Sequence, residues 1–292
     1  MPHQIGAHLR LAYWLPWATD KLYSPRMERI EFLYRWDGFL ITAGLFAVLV
    51  AVAECSFRIG SRRIKQGIKV KPDSQDQAIE AAMLSLLGLL LAFTFSMSAS
   101  RFEARKQVVL QDANAIGTTF LRTQLLSTAG QTIQAQGLMR SYVATRLQIY
   151  AAPAGSPAQK AAAVQMQALQ HDLWDLVATD SRQHPNAVST ALLLTSLNEM
   201  IDLSETQVTI FANHVPEDIL LLLLIMSTIT VAMVAFLNGK GGKHQRLFTI
   251  ILAATIALTI FIVLDLDRPQ RGLIRVGVGS VERAQAMIES KR

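Results

Sequence analysis

Residues 79–106 read IEAAMLSLLGLLLAFTFSMSASRFEARK and combine a long apolar run with a charged end. No charged side chain occurs over the 20 residues from Ala81 to Ser100, which is about the length that a helix needs to cross the hydrocarbon core of a bilayer. Four charged residues then follow between Arg101 and Lys106, and no proline or glycine separates them from the apolar part. Because nothing stops the helix locally, the stretch predicts one continuous helix that spans the membrane and projects out of it.

Two faces of this helix are candidates for function. One is a line at i, i+4 spacing that begins with bulky apolar side chains and continues into arginines: Leu89, Phe93, Met97, Arg101 and Arg105. The other is a stripe of small residues that lets a neighbouring helix approach closely: Ser85, Gly88, Ala92, Ser96 and Ala99. From these residues alone, ordinary packing of a span with arginines among the lipid headgroups is the simpler interpretation. The alternative is a pore whose apolar rings gate by dewetting and whose arginines attract anions.

The composition extends this view to the whole chain. The sequence has 292 residues, of which 51% are hydrophobic, and its mean hydropathy is +0.29, which is too apolar for a typical soluble domain. The apolar residues fall in four blocks, so we predict an all-α integral membrane protein with four transmembrane helices and an extramembrane helical bundle inserted between spans two and three. The predicted segments are an interfacial N-terminal segment (1–37), spans one and two with a basic loop at 58–78 (38–100), the bundle (101–216), spans three and four (217–266) and a C-terminal tail (267–292).

The bundle region is polar enough for water but keeps a helical period. Turn-forming residues divide it into four predicted amphipathic helices, at 101–127, 131–151, 158–182 and 187–213. Three polar residues, Asn114, Asn198 and Asp202, sit among apolar ones and predict a hydrogen-bond network between helices, because buried polar groups need partners. A ligand site made from the same groups is the alternative.

Acidic residues close the fourth apolar block, where Asp265 and Asp267 come just before Arg268. Acids at the edge of a span are costly unless they face water or a partner. A structural pairing with Arg101, Arg105 or Arg268 is the favoured interpretation, and a role in an ion path is the alternative.

Several classes of function lack their motifs. The six histidines are scattered without a metal-binding spacing, so no metal site and no cofactor are predicted, and no enzyme is expected. The single cysteine, Cys55, lies in the first span. The net charge of +6 comes from Lys and Arg beside the spans, where membrane lipid and topology account for it, so nucleic acid is not a predicted partner.

Four segments carry a resemblance to a known family. They are SLLGLLLAFTFSMSASRFEARK (85–106), DANAIGTTFLR (112–122), LNEMID (197–202) and LDLDRPQRG (264–272). On these segments the chain is identified as a member of the bacterial bestrophin-like membrane proteins. SASRFEARK is similar to the run that follows the pore-lining span of bestrophins. The spacing between the similar residues is shorter in this chain, so individual pore residues of bestrophins are not matched to positions in this sequence.

The resemblance implies a multi-pass protein of the bacterial inner membrane that forms a homo-oligomer, a pentamer in known bestrophins, and conducts inorganic anions along its second span. A non-conducting sensor or scaffold whose bundle binds a partner or ligand is the alternative function. The two short loops carry six and three Lys or Arg residues, which favours short loops in the cytoplasm and an extracytoplasmic bundle. The resemblance implies the opposite orientation.

Overall fold

The computed structural model describes residues 38–65, 74–242, 245–268 and 272–291. The predicted interfacial segment 1–37 lies outside the described residues, as does the middle of the basic loop. Within the described ranges the regular structure is helical throughout and contains no strand.

Eight α-helices follow one another along the described chain. They are α1 (Gly38–Lys65), α2 (Ser74–Arg122), α3 (Ala129–Ala151), α4 (Pro157–Gln183), α5 (Val188–Ala212), α6 (Glu217–Lys240), α7 (Arg246–Leu266) and α8 (Gly279–Glu289), with a 3₁₀ turn at Thr123–Leu125 after α2. The helices predicted for the bundle region end within two residues of these bounds when the 3₁₀ turn is counted. The side chains of Thr128 and Ser156 cap the amino ends of α3 and α4, and Pro157 occupies the first turn of α4.

Helix α2 is continuous over 49 residues, which corresponds to about 70 Å of helix. The predicted single rod is therefore confirmed. Among the described residues, four helical stretches are long and apolar enough to cross a membrane: Gly38–Arg62, Ser74–Leu125, Val188–Lys240 and Arg246–Leu266. This number agrees with the four spans expected from the sequence.

The chain divides into two compact units, and the first consists of Met1–Leu87 and Glu217–Phe261. In its described part, α1 packs against α6, and each helix places a glycine at the contact. A Cβ atom on Gly60 would overlap the carbonyl oxygen of Phe236, and one on Gly239 would overlap that of Phe57. The two backbones therefore meet directly, as small residues allow in membrane helices.

The second unit consists of Gly88–Pro216 and Ile262–Arg292. Its core is formed by one face each of the long part of α2, of α3, α4 and α5, and of the short helix α8, with Ile116, Phe120, Met139 and Leu197 fully buried. Helix α8 adds Val281, Ala284 and Ile288 at i, i+3, i+7 spacing. The C-terminal tail is therefore part of the helical core of this unit.

Candidate functional site

The first candidate region is the open face of α2. Leu89 is 52% exposed and Phe93 is 65% exposed in the single chain, whereas Met97 is half-buried. Among the small residues, Ser85, Gly88, Ala92 and Ser96 are exposed and Ala99 is half-buried. A Cβ atom on Gly88 would have no neighbour within 4 Å. The bulky line and the small stripe thus lie mainly on one side of α2 that the described chain leaves uncovered.

The opposite side of α2 is buried, and it contains Arg105. Thr94, Ser98 and Arg105 are 3%, 0% and 0% exposed. The guanidinium of Arg105 donates to the carbonyl oxygens of Leu266 at 3.1 Å and Asn213 at 2.8 Å, and to the Asp267 carboxylate at 3.3 Å. Burial of this kind is incompatible with the predicted role of Arg105 as an anion-attracting residue, so that role is corrected to a structural one.

The helical geometry explains why Arg105 left the line that starts at Leu89. Four residues turn an α-helix by about 40° more than a full circle. Four such steps separate Leu89 from Arg105, and together they rotate the side chain by roughly 160°. Arg101, one step earlier, remains partly exposed and donates to the side-chain oxygen of Asn213 at 2.6 Å.

Asp267 joins three segments of the second unit. Its side chain is 1% exposed, contacts Arg105, and accepts the backbone N–H of Val215 at 2.9 Å. The ring nitrogen Nδ1 of His214 lies 3.0 Å from the backbone carbonyl oxygen of Asp267. The segment just after α7, the segment just before α6 and the middle of α2 therefore meet at one buried carboxylate.

Asp265 has backbone partners. Its carboxylate accepts the backbone N–H groups of Leu273 at 3.0 Å and Ile274 at 2.8 Å, eight and nine residues further along the chain. Gly272 has φ +125°, a conformation that side chains disfavour, and a Cβ atom there would overlap the Asp265 carboxylate. Asp265 thus links the end of α7 to the backbone of Leu273 and Ile274. The nearby Arg268 is itself buried at 7% exposure.

The polar network between the bundle helices differs from the predicted one. Asn114, Asn198 and Asp202 are exposed, and Asn198 donates to Asp202 at 2.9 Å within the same helix. These three residues are therefore corrected to surface positions. The sequence alone misplaced them because successive residues of an α-helix are rotated by about 100°. A polar residue on the exposed face can therefore be next in sequence to one on the buried face.

The network that the structure contains is centred on Arg146 of α3. Its Nε donates to the Asp112 carboxylate at 2.8 Å, its Nη1 donates to Ser204 at 3.3 Å, and its Nη2 donates to the amide oxygen of Gln207. The Gln207 amide in turn donates to the hydroxyl of Tyr150. Asp112 is 0% and Arg146 3% exposed. Helices α2, α3 and α5 are thus joined by one buried ion pair and its neutral partners.

The ionisation of this network is set by burial and by the ion pair. Burial raises the pKa of the Tyr142 hydroxyl and raises the pKa of Tyr150 to about 12. Burial opposes the charged form of Arg146, but the carboxylate of Asp112 and the two tyrosines raise its pKa overall. Both tyrosines are therefore neutral at physiological pH, and neither hydroxyl is an activated nucleophile.

A metal site can be tested within the described ranges. They contain no group of three or more His, Cys, Asp or Glu side chains placed to hold a metal ion.

Residues 71–280 match the profile of the bestrophin-like domain. The chain belongs to the bestrophin-like family. This confirms the family inferred from the sequence. The matched part of this bestrophin-like chain includes all of α2 and both aspartates that follow α7. A comparison with curated protein sequences found no match.

The bestrophin-like chain is also similar to solved structures of a bacterial bestrophin homologue from Klebsiella pneumoniae. One of them shares 12% identity over 85% of this chain and 98% of the other, with a TM-score of 0.65. A single-site variant of that homologue gives 12% identity, coverages of 87% and 99% and a TM-score of 0.67. A second variant gives 11%, 84% and 97%, with a TM-score of 0.65. At this level of identity the likeness concerns the fold, and it extends over almost the whole length of the homologue.

Proposed function

We propose that this protein is an oligomeric anion channel of the bacterial inner membrane in which α2 lines the pore. The observation that carries the proposal is the uncovered face of α2, where Leu89 and Phe93 are exposed beside a stripe of small residues. Large apolar side chains exposed on one face of a membrane helix are expected to contact lipid, to contact another subunit or to line a narrow pore. Membership in the bestrophin-like family supports the last of these uses.

In the proposed assembly, Leu89, Phe93 and Met97 form apolar rings, and the small stripe from Ser85 to Ala99 packs against the adjacent subunit. Arg101 supplies the positive ring at one mouth, since Arg105 is committed to Asp267 and to two carbonyl groups. Five subunits are proposed from the resemblance to bestrophins. Residues 101–216 form the extramembrane bundle.

Ion flux from proteoliposomes tests this proposal. A narrow apolar ring resists wetting, so Phe93→Ala should raise basal chloride flux severalfold over the parent protein. Phe95→Ala is the matched control, because Phe95 is 43% exposed on a different side of the same helix. Arg101→Glu should reduce the preference for chloride over sodium, whereas Lys106→Glu, which reverses a charge that pairs with Glu103, should change it less.

Two outcomes would contradict the channel. Folded parent and Phe93→Ala oligomers that are both impermeable across a wide voltage range would favour the alternative, a membrane scaffold or sensor. Equal gains in flux from Phe93→Ala and Phe95→Ala would show that the flux is general leakage and that Leu89, Phe93 and Met97 do not line the pore.

The orientation is proposed from the charges of the short loops, with the bundle on the extracytoplasmic side. Cysteine labelling in intact cells checks it after Cys55, which is exposed in the single chain, has been replaced by alanine. Ala154→Cys, in the exposed turn between α3 and α4, should react with a membrane-impermeant thiol reagent. Gln66→Cys, in the basic loop, should be protected. The reverse pattern would place the bundle in the cytoplasm, as the resemblance to bestrophins implies.

A further inference from the structure

A pair of exposed arginines converges on one carboxylate in the first unit. Arg58 of α1 contacts the Oε1 atom of Glu54 through Nε at 2.8 Å, and Arg246 at the start of α7 reaches the same atom through Nη2 at 3.5 Å. The guanidinium of Arg246 also lies 5.2 Å from the centroid of the Phe57 ring. Two positive groups thus share a single negative one, and the cluster keeps an excess positive charge.

Both guanidiniums remain accessible to a ligand. The side chain of Arg58 is 69% exposed and that of Arg246 is 58% exposed, while Glu54 is 34% exposed. A guanidinium has five N–H donors in a planar fork that matches the oxygens of a phosphate. The Arg58–Glu54 contact uses Nε, so the two terminal nitrogens of Arg58 are available for a phosphate oxygen.

The surface beside the arginines is apolar and uncovered. Ile59 is 55% exposed on α1, and Leu247 and Phe248 are 67% and 68% exposed on the first turn of α7. These helices are two of the stretches that are apolar enough to cross a membrane, and the arginines stand at their ends. A ligand that satisfies this surface carries an anionic head and an apolar body. That combination describes a phospholipid and excludes a purely polar anion such as free phosphate from the apolar part.

The backbone beside Arg58 is also closely packed. Gly60, two residues further along α1, is in direct backbone contact with α6 through Phe236 and Lys240. A fixed backbone beneath a flexible side chain reduces the ordering that ligand binding requires.

We propose that Arg58 and Arg246 bind the phosphate of an anionic phospholipid whose acyl chains lie along Ile59, Leu247 and Phe248. The proposal requires a membrane location and is independent of whether the protein conducts ions. Glu54 acts in it as a positioning residue that holds the two guanidiniums together.

Native mass spectrometry of the full-length protein in detergent tests the site, with dioleoyl phosphatidylglycerol and dioleoyl phosphatidylcholine as the two probes. Each arginine near a membrane surface contributes about 1 kcal/mol to binding an anionic lipid, so Arg58→Gln with Arg246→Gln should weaken phosphatidylglycerol binding roughly 30-fold. Binding of phosphatidylcholine should stay the same. The charge-matched control is Lys160→Gln with Arg182→Gln, which removes two exposed positive charges from α4 and should leave both lipids unaffected.

A second pair of variants separates charge from geometry. Arg58→Lys with Arg246→Lys keeps both charges but loses the planar forks, so phosphatidylglycerol binding should fall by an intermediate amount. If the double glutamine variant does not fold, phosphatidylglycerol binding by this double lysine variant still tests the proposal. In a further experiment, excess inorganic phosphate is added to the parent protein with bound phosphatidylglycerol. The control sample contains chloride at the same ionic strength.

Three results would overturn the proposal. One is equal retention of phosphatidylglycerol by the parent and by both arginine variants. Another is an equal loss in the Lys160 and Arg182 control, which would mean that total charge alone governs binding. The third is displacement of the lipid by inorganic phosphate but not by chloride, which would identify a free-anion site instead of a lipid site.

Discussion

The buried pair of Asp112 and Arg146 gives the sharpest stability prediction. Arg146 is 3% exposed and its three nitrogens are all directed at protein acceptors, of which only Asp112 is charged. Asp112→Asn keeps the shape of the side chain and removes the charge, so the guanidinium would remain buried beside neutral partners only. Breaking a buried pair in this way costs about 3–5 kcal/mol of the free energy of unfolding.

The size of this effect makes it measurable. A loss of about 3 kcal/mol lowers the ratio of folded to unfolded protein by roughly 150-fold, because 1.4 kcal/mol corresponds to a factor of ten. At about 2–4 °C per kcal/mol, the midpoint of thermal unfolding should fall by roughly 10 °C. Thermal melts of the detergent-solubilised full-length protein, followed by helical circular dichroism, provide the assay.

Asp202→Asn is the matched control, since Asp202 is exposed and its hydrogen bond to Asn198 lies within one helix. It should shift the midpoint by no more than a degree or two. Arg146→Gln and the double variant complete a cycle in which the double should cost less than the sum of the singles by about 1–3 kcal/mol. Additive single effects, or an Asp112→Asn midpoint equal to that of Asp202→Asn, would refute the assignment of a charged, buried pair.

Two further predictions follow from the same unit. Gly272→Ala should lower the free energy of unfolding by about 1–3 kcal/mol from backbone strain alone, and further through the overlap with Asp265. Gly277→Ala meets no atom within 4 Å and should be nearly neutral, so equal midpoints of the two variants in thermal melts would contradict the close contact between Gly272 and Asp265. Tyr150 has a raised pKa of about 12 against an ordinary 10.0, so the folded state keeps a proton that the unfolded state loses and stability should fall as pH rises from 10 towards 12. Tyr150→Phe should flatten that part of the stability profile, and an ultraviolet titration that shows every tyrosine ionising near pH 10 would contradict the burial of Tyr142 and Tyr150.

The path of the chain was largely readable from the sequence because its local signals agree. No proline or glycine interrupts the residues between Gly88 and Gly117, and α2 is continuous there. Conversely, Pro153, Pro157 and Pro185 mark the turns between the bundle helices, and the observed helices end at those points. Helix existence depends on such local signals, which is why the bounds were close.

The direction in which a polar residue points was not readable in the same way. The buried face of the outer part of α2 passes through Arg105, Val109, Asp112 and Ile116, at steps of four, three and four. A heptad count back from the apolar pair of Val109 and Ile116 would have included both Arg105 and Asp112. The predicted line from Leu89 instead grouped residues at i, i+4 spacing. Each such step rotates the side chain by about 40° around the helix, so the line passed from the exposed face at Leu89 to the buried face at Arg105.

The aspartates after α7 show a stricter limit. A search for opposite charges finds Arg105 as a partner for Asp267, but it can find no partner for Asp265, whose hydrogen bonds come from the backbone N–H groups of Leu273 and Ile274. Every residue except proline carries such a donor, so the side-chain sequence holds no sign of which one is used. The one visible signal is Gly272, because a positive φ and the overlap with Asp265 both require the absence of a side chain. A glycine seven residues after a buried acid, at the end of an apolar span, is therefore better evidence for a contact between that carboxylate and the backbone than any charged residue nearby.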